Sequence, residues 1–400
     1  MSAATLDDLH LWVDKMMTSL QIPDYKLAIG GNTTKGDGYL GEVTFLKVET
    51  SGKTYDLVIK SAKKSDELRK QTPIKEAYDR EIFFYSKIFP LLDEFQRQRG
   101  VQKAFSNVPK CFSVSSELTR EAVILQNLKS DGFELHDRKQ AMNLDHVLMV
   151  FRNYGKYHAL SLGLKEKKPA VFNSLGRNLN DLFGLFITKA DLIGVYRKEF
   201  EHVKTLLEPE ILQKFDGLEE DFERILVGLS DENTEPSVLL HGDCWNNNFM
   251  FKYEGEDKSR PTEISFLDFQ LVRVGSPVID LSYFLYCCAD AKVLENFDFI
   301  LQAYHSSFCD FLADLGCDAE ALFPFKKLKE HWREFGKYGL VQSLFLLKIS
   351  LCDSSEAPDL METAEKGEDF KDSFQIKMQN LDVYNRRIKD VFEHFAHKFL

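Results

Sequence analysis

The chain lacks any apolar run of the ~18 residues that a membrane-spanning helix needs. Its opening, "MSAATLDDLHLWVDKM", has neither the basic start nor the unbroken apolar stretch of a secretory signal. Cysteines are few: Cys111, Cys244, Cys287, Cys288, Cys309, Cys317 and Cys352. Seven is an odd number and no two stand in a CxxC pair, so neither a disulfide framework nor a zinc site is expected. An excess of positive charge is missing too. The formal charge of −12 argues against a broad nucleic-acid footprint, yet a few lysines and main-chain N–H groups suffice for one phosphate. No internal repeat, low-complexity tract or long linker appears. These absences leave a cytoplasmic protein as the expectation, with reduced thiols, no membrane span and no nucleic-acid partner.

What is present is ordinary for a folded chain: 44% hydrophobic and 28% charged residues over 400 positions, enough for two domains. The 33 Phe point mainly to an aromatic core. Residues 5 to 20 carry Leu6, Leu9, Val13, Met16, Met17 and Leu20 at helical spacing, and "QIPDY" stops the pattern. From Tyr25 to Lys60, "YKLAIGGNTT", "EVTFLKVET" and "TYDLVIK" read as strands joined by "KGDGYLG" and "SGK". A long helix follows from Pro73 to Gly100, then two strands, "KCFSVS" and "EAVILQNL", close the sheet. After Leu128 the texture is helical, except for short strands around residues 237 to 275. The acidic stretch 351 to 370 reads as a solvated loop or lid. The fold expected is α+β, with a small antiparallel-sheet lobe over residues 1–127 that holds a nucleotide. A mostly helical lobe over residues 128–400 would carry the catalytic and metal-binding loops.

One segment concentrates chemistry. "HGDCWNNNFMF" sets His241, Asp243 and Asn248 between apolar flanks, and Asp268 opens "DFQ" further on. A carboxylate, an amide five positions later and a second carboxylate suit phosphoryl transfer from Mg·ATP. Asp243 would orient an attacking hydroxyl and accept its proton, while Asn248 and Asp268 supply hard oxygen ligands for Mg²⁺. Strand-like flanks would hold these loops rigid from below. In the sheet lobe, Gly36, Gly38 and Gly41 lie in a hairpin where the backbone can approach phosphates. Lys60 ends the apolar strand "DLVIK", and Glu81 is set among apolar neighbours in "REIFFY". A Lys60–Glu81 pair would aim the ammonium at the α and β phosphates.

"HGDCWNNNFMFKY" followed by "ISFLDFQLVRVGSPVIDLSYFLY" resembles the ecdysteroid kinase-like (CHK kinase-like) family, within the wider aminoglycoside phosphotransferase and choline kinase superfamily. The resemblance is densest over residues 238 to 286. "GDGYLGEV", "VIK", "REIFFY" and "YHALS" follow in the order of such kinases from about residue 25 to residue 350. It implies the two-lobe protein-kinase-like fold. Asp243 would be the catalytic aspartate, and His241 and Asp280 supports of its loop. Asn248 and Asp268 would bind metal, and Lys60 with Glu81 would face the phosphates. The main chain at Gln126 and Leu128, in "ILQNL", would meet the adenine. The implied partner is a small hydroxylated acceptor: an ecdysteroid, or a foreign alcohol, phenol or glycoside. A monomer is expected.

Two rival readings remain at this point. A choline or ethanolamine kinase needs acidic and aromatic groups around a cation, which the negative charge permits. A ligand-binding pseudokinase would lack counterparts of Lys60, Asp243, Asn248 or Asp268, and all four are present. A protein kinase fits poorly, because "GSPVIDL" follows Asp268 too closely to leave room for an activation loop.

Overall fold

The computed structural model describes residues 4–32, 40–229, 234–353, 355–374, 376 and 378–400. Five strands form an antiparallel sheet in the order β1-β2-β3-β5-β4: β1 (Lys26–Asn32), β2 (Gly41–Glu49), β3 (Thr54–Ala62), β4 (Cys111–Ser115) and β5 (Ala122–Gln126). Side chains alternate across a strand, so each strand serves two surfaces. Leu46, Val48, Leu57, Ile59 and Ile124 face one side, where Trp12, Val13, Met16 and Met17 of the helix Leu6–Ser19 cover them as a small core of their own. The opposite side turns Val43, Phe45, Val58, Lys60 and Leu125 toward a cleft. Alternation thus puts Lys60 on the cleft side one residue after Ile59 enters the core.

The expected long helix is present but not uniform. Ile74–Phe83 and Phe89–Gln98 are α-helical, and Phe84–Ile88 between them is a π-type turn, an insertion that periodicity does not announce. It leaves Phe84 stacked on Phe269, with centroids 3.6 Å apart and planes within 4°. The helix bearing Glu81 is thereby pinned to the residue after Asp268.

Beyond Asn127 the chain is mainly helical, with five short strands: β6 (Phe133–Leu135), β7 (Val238–Leu240), β8 (Phe249–Tyr253), β9 (Pro261–Phe266) and β10 (Arg273–Gly275). β6, β8 and β9 form one antiparallel sheet and β7 pairs with β10. The loops after β7 and after β9 both run from one ladder to the other and lie side by side. Leu267 N–H donates to the Asn248 carbonyl at 2.9 Å across them.

The main core is continuous through both lobes, joining Ala62 and Tyr78 to the helices Leu144–Lys167, Pro277–Cys288 and Phe325–Leu351. Phe183 and Phe186 pack against it and Trp332 lies inside it. The acidic stretch 351 to 370 is a correction. It contains the helix Leu360–Lys366, whose Leu360, Thr363 and Ala364 are buried and which packs on the helix Asp66–Gln71 of the sheet lobe. A single large apolar residue on that buried face is too little for periodicity to register. Among the described residues no helix is long and apolar enough to cross a membrane.

Candidate active site

Lys60, Glu81, Asp243, Asn248 and Asp268 line one cleft between the lobes, a cavity of about 250 Å³. Lys60 Nζ lies 2.8 Å from Glu81 Oε2 and 2.5 Å from Asp268 Oδ1, so one ammonium joins the sheet, the following helix and the loop after β9. Burial disfavours its charge, but the carboxylates of Asp268 and Glu81 outweigh that and keep Lys60 protonated far above neutral pH. Glu81 is 1% exposed, and burial pushes its carboxyl upward against the pull of Lys60. Next to it, Arg80 donates to the Val272 carbonyl at 2.5 Å and to Asn180 Oδ1 at 2.6 Å, tying the same helix to the chain beyond Asp268.

Asp243 stands on the cleft floor in a rigid setting. Asn248 Nδ2 donates to its main-chain oxygen at 2.9 Å and to Oδ2 at 2.7 Å. Tyr283 donates its hydroxyl to Oδ1 at 3.0 Å. Burial, followed by the negative charge of Asp268, raises the Asp243 carboxyl to about 6.

The backbone that presents Asp243 is held by buried groups. His241 Nε2 lies 2.8 Å from the Leu267 carbonyl and must donate to it, which leaves Nδ1 to accept the Asp243 N–H at 3.2 Å. Desolvation holds the imidazole below its usual range, so it stays neutral and this tautomer persists. Asp280 Oδ2 accepts the His241 N–H at 2.6 Å and Oδ1 accepts the Gly242 N–H at 3.0 Å. Burial works against the Asp280 charge, but His158, which faces Oδ2 at 3.3 Å, and these N–H groups pull its carboxyl below the usual range. Gly242 has φ of +87°, and a Cβ there would stand 2.2 Å from the Leu271 carbonyl oxygen, so only glycine fits. Asp268 also has positive φ, +63°, which turns its carboxylate back toward Lys60.

Gln126 and Leu128 border the far side of the cleft. The Gln126 N–H is committed to the Lys110 carbonyl at 2.9 Å, so its free main-chain group is its carbonyl. Gly36 and Gly38 lie outside the described residues. Gly41, the third glycine of that stretch, lines the cleft and packs against the Tyr78 hydroxyl. His158 is a fully buried helix residue hydrogen-bonded to Asp280 and Tyr304.

Tyr283 is the contact that sequence reasoning missed. It stands three positions after Asp280 on the helix Pro277–Cys288, one turn along the same face, so one face of one helix meets both the backbone and the side chain of the Asp243 loop. That spacing was the available signal.

Among the described residues no three His, Cys, Asp or Glu side chains converge as a metal cage. The donor set suits Mg²⁺ instead, which takes one or two protein oxygens and completes its shell with phosphates and water. Both Asn248 amide hydrogen bonds fall on Nδ2, which leaves the amide oxygen for a ligand, and Asp268 keeps one oxygen not engaged by Lys60.

The two-lobe architecture is that of the kinase-like fold, and family membership makes the chain a small-molecule phosphotransferase. The chain belongs to the ecdysteroid kinase-like family, whose pattern matches residues 35–317. No curated protein matches it significantly. Solved structures superpose loosely. A Plasmodium vivax ethanolamine kinase is 15% identical, with 91% of this chain and 90% of that chain covered and a TM-score of 0.43. The GDP complex of wild-type aminoglycoside 2'-phosphotransferase-IIIa is 14% identical, with 98% of this chain and 100% of that chain covered and a TM-score of 0.41. A spectinomycin phosphotransferase in complex with ADP and spectinomycin is 12% identical, with 96% and 98% covered and a TM-score of 0.38.

Proposed function

We propose that the protein transfers the γ-phosphate of ATP to a hydroxyl of a small, largely apolar acceptor: an ecdysteroid, or a foreign alcohol, phenol or glycoside. The observation that carries the reading is the Lys60 ammonium held between Glu81 and Asp268 in the cleft that Asp243 and Asn248 floor. The acceptor class rests on membership of the ecdysteroid kinase-like family.

In this reading Lys60 meets the α and β phosphates, and Gln126 and Leu128 meet the adenine through their main chain. Asn248 and Asp268 hold Mg²⁺, which supplies positive charge to offset that of the phosphates. The Asp243 carboxylate accepts a hydrogen bond from the acceptor hydroxyl and fixes its line of attack. As the acceptor oxygen bonds to the γ-phosphorus, the bond from that phosphorus to the bridging oxygen of ADP breaks and the hydroxyl proton passes to Asp243. Rate is gained chiefly by positioning and charge placement, with less from proton removal.

The test is ADP release by purified protein with Mg·ATP against ecdysteroids, plant phenols, glycosides, choline and ethanolamine, beside Asp243→Asn. Turnover on a steroid or phenol that disappears in the variant is the expected result. Turnover on choline or ethanolamine alone would replace the acceptor class. Release by Asp243→Asn equal to wild type would overturn the role of Asp243.

A further inference from the structure

We propose that Tyr283 is a positioning residue for Asp243: its buried hydroxyl fixes the rotation of the carboxylate, so that the lone pairs left for the acceptor point in defined directions. The proposal rests on the reading of Asp243 as the group that meets the acceptor hydroxyl. An ionised carboxylate offers about four lone-pair sites and, on its own, turns about its Cβ–Cγ bond. Here both oxygens are held. Tyr283 donates to Oδ1 at 3.0 Å, and Asn248 donates to Oδ2 at 2.7 Å. Two hydrogen bonds on different oxygens define the carboxylate plane, which one cannot. A phenol suits the task because it donates without adding charge. Burial, with the Asp243 charge second, holds Tyr283 protonated far above its usual range, so the hydrogen runs from Tyr283 to Asp243 at working pH.

Tyr283 is itself rigid, which a positioning group must be. It is 2% exposed and does not line the nucleotide cleft. Its ring meets Tyr338 edge-on, with centroids 6.2 Å apart. The Tyr338 hydroxyl in turn accepts from Arg273 and from Gln342, each at 3.1 Å. The helix Phe325–Leu351 comes so close to this point that a Cβ on Gly339 would lie 2.1 Å from the Ser282 carbonyl carbon. Helix-to-helix contact at backbone distance therefore fixes the tyrosine. Asp280, one turn earlier, fixes the loop backbone, so the helix Pro277–Cys288 aligns Asp243 through two separate contacts.

Tyr283→Phe keeps the ring and removes only the donor. ADP release would be followed with the best acceptor of the panel, or with water as acceptor where none turns over. The expected result is a fall of about tenfold in kcat, the value of one hydrogen bond to a charged group, with KM for ATP unchanged. A double-mutant cycle of Tyr283→Phe with Asp243→Asn, read by thermal unfolding at pH 8, needs no turnover. Tyr283→Phe should lower Tm more beside Asp243 than beside Asn at that position. Equal losses in both backgrounds, or a wild-type kcat, would overturn the role of Tyr283 while Asp243→Asn remained inactive. If Asp243→Asn kept its activity, the reading of the site would fail instead.

Discussion

Asp243 combines two demands that pull against each other at the level of one residue. Its carboxyl is raised to about 6 by burial and by Asp268, so its ionisation weakens the fold, while the proposed chemistry needs it ionised. The sign follows directly. A carboxyl whose folded value lies above its unfolded one contributes nothing adverse below the unfolded value of 3.8. It weakens the fold increasingly between 3.8 and about 6, and does so fully above that. The side chain is open to the cleft on one side, so water trims the effect to about 2 kcal/mol. Asp243→Asn should therefore raise Tm at pH 7.5 and leave it nearly unchanged at pH 3.5. A variant that is equally stabilised at both pH values would place the effect outside the titration of this group. Turnover in the wild-type protein should fall about tenfold per pH unit below about pH 6 as Asp243 takes up its proton.

At the scale of elements, the site depends on two loops strung between short ladders, and the backbone at their turns is where tolerance ends. Gly242→Ala would place a methyl group in a left-handed backbone conformation and within 2.2 Å of a carbonyl oxygen, and the loop has no slack with Asp280 gripping both neighbouring N–H groups. A loss of about 3 kcal/mol, measured by urea unfolding, together with loss of turnover, is expected. Stability close to wild type would mean that the loop can take up another conformation. The same elements show what can be read in a sequence. β2 and β3 are visible because burial alternates along several residues, and β5 because it is an unbroken apolar run buried on both faces. β7 falls where a short apolar strand is expected, whereas β6 and β10, with three residues each, are too short for any period and exist because partner strands are brought to them. Asp243, Asn248 and Asp268 stand out because polar groups are concentrated between apolar strands. Lys60 and Glu81 stand out as charges among apolar neighbours. Tyr283 does not, because its hydrogen bond spans forty residues of chain and an apolar helix accommodates a tyrosine without comment. The π-type turn at Phe84–Ile88 and the docking of Leu360–Lys366 on the sheet lobe were hidden for the same reason, since both are set by tertiary contacts.

In the whole molecule, one core runs through both lobes, and the helix Leu360–Lys366 adds a second bridge between them. A ligand seated between the lobes should therefore stabilise the entire fold rather than one half of it. The charge of the cleft decides which ligand does so. Glu81, Asp243 and Asp268 outnumber the two lysines that line the cleft, Lys60 and Lys129, Lys60 is engaged by two of those carboxylates, and the chain as a whole carries a formal charge of −12, so a polyphosphate alone meets an acid-rich site. A divalent cation that engages Asn248 and Asp268 would free Lys60 for the phosphates and offset their charge together with that of the carboxylates. Mg·ATP at about a hundred times its Kd should add about 2.7 kcal/mol to the stability of the folded state, seen as a Tm rise of a few degrees in one cooperative transition. ATP with EDTA should give little or none of that rise, and Lys60→Met should lose most of it, measured against the Tm of its own apo form. An equal rise with ATP in the presence and absence of the metal would show that nucleotide binds without Asn248 and Asp268 holding a cation. No rise under either condition would place the nucleotide outside this cleft.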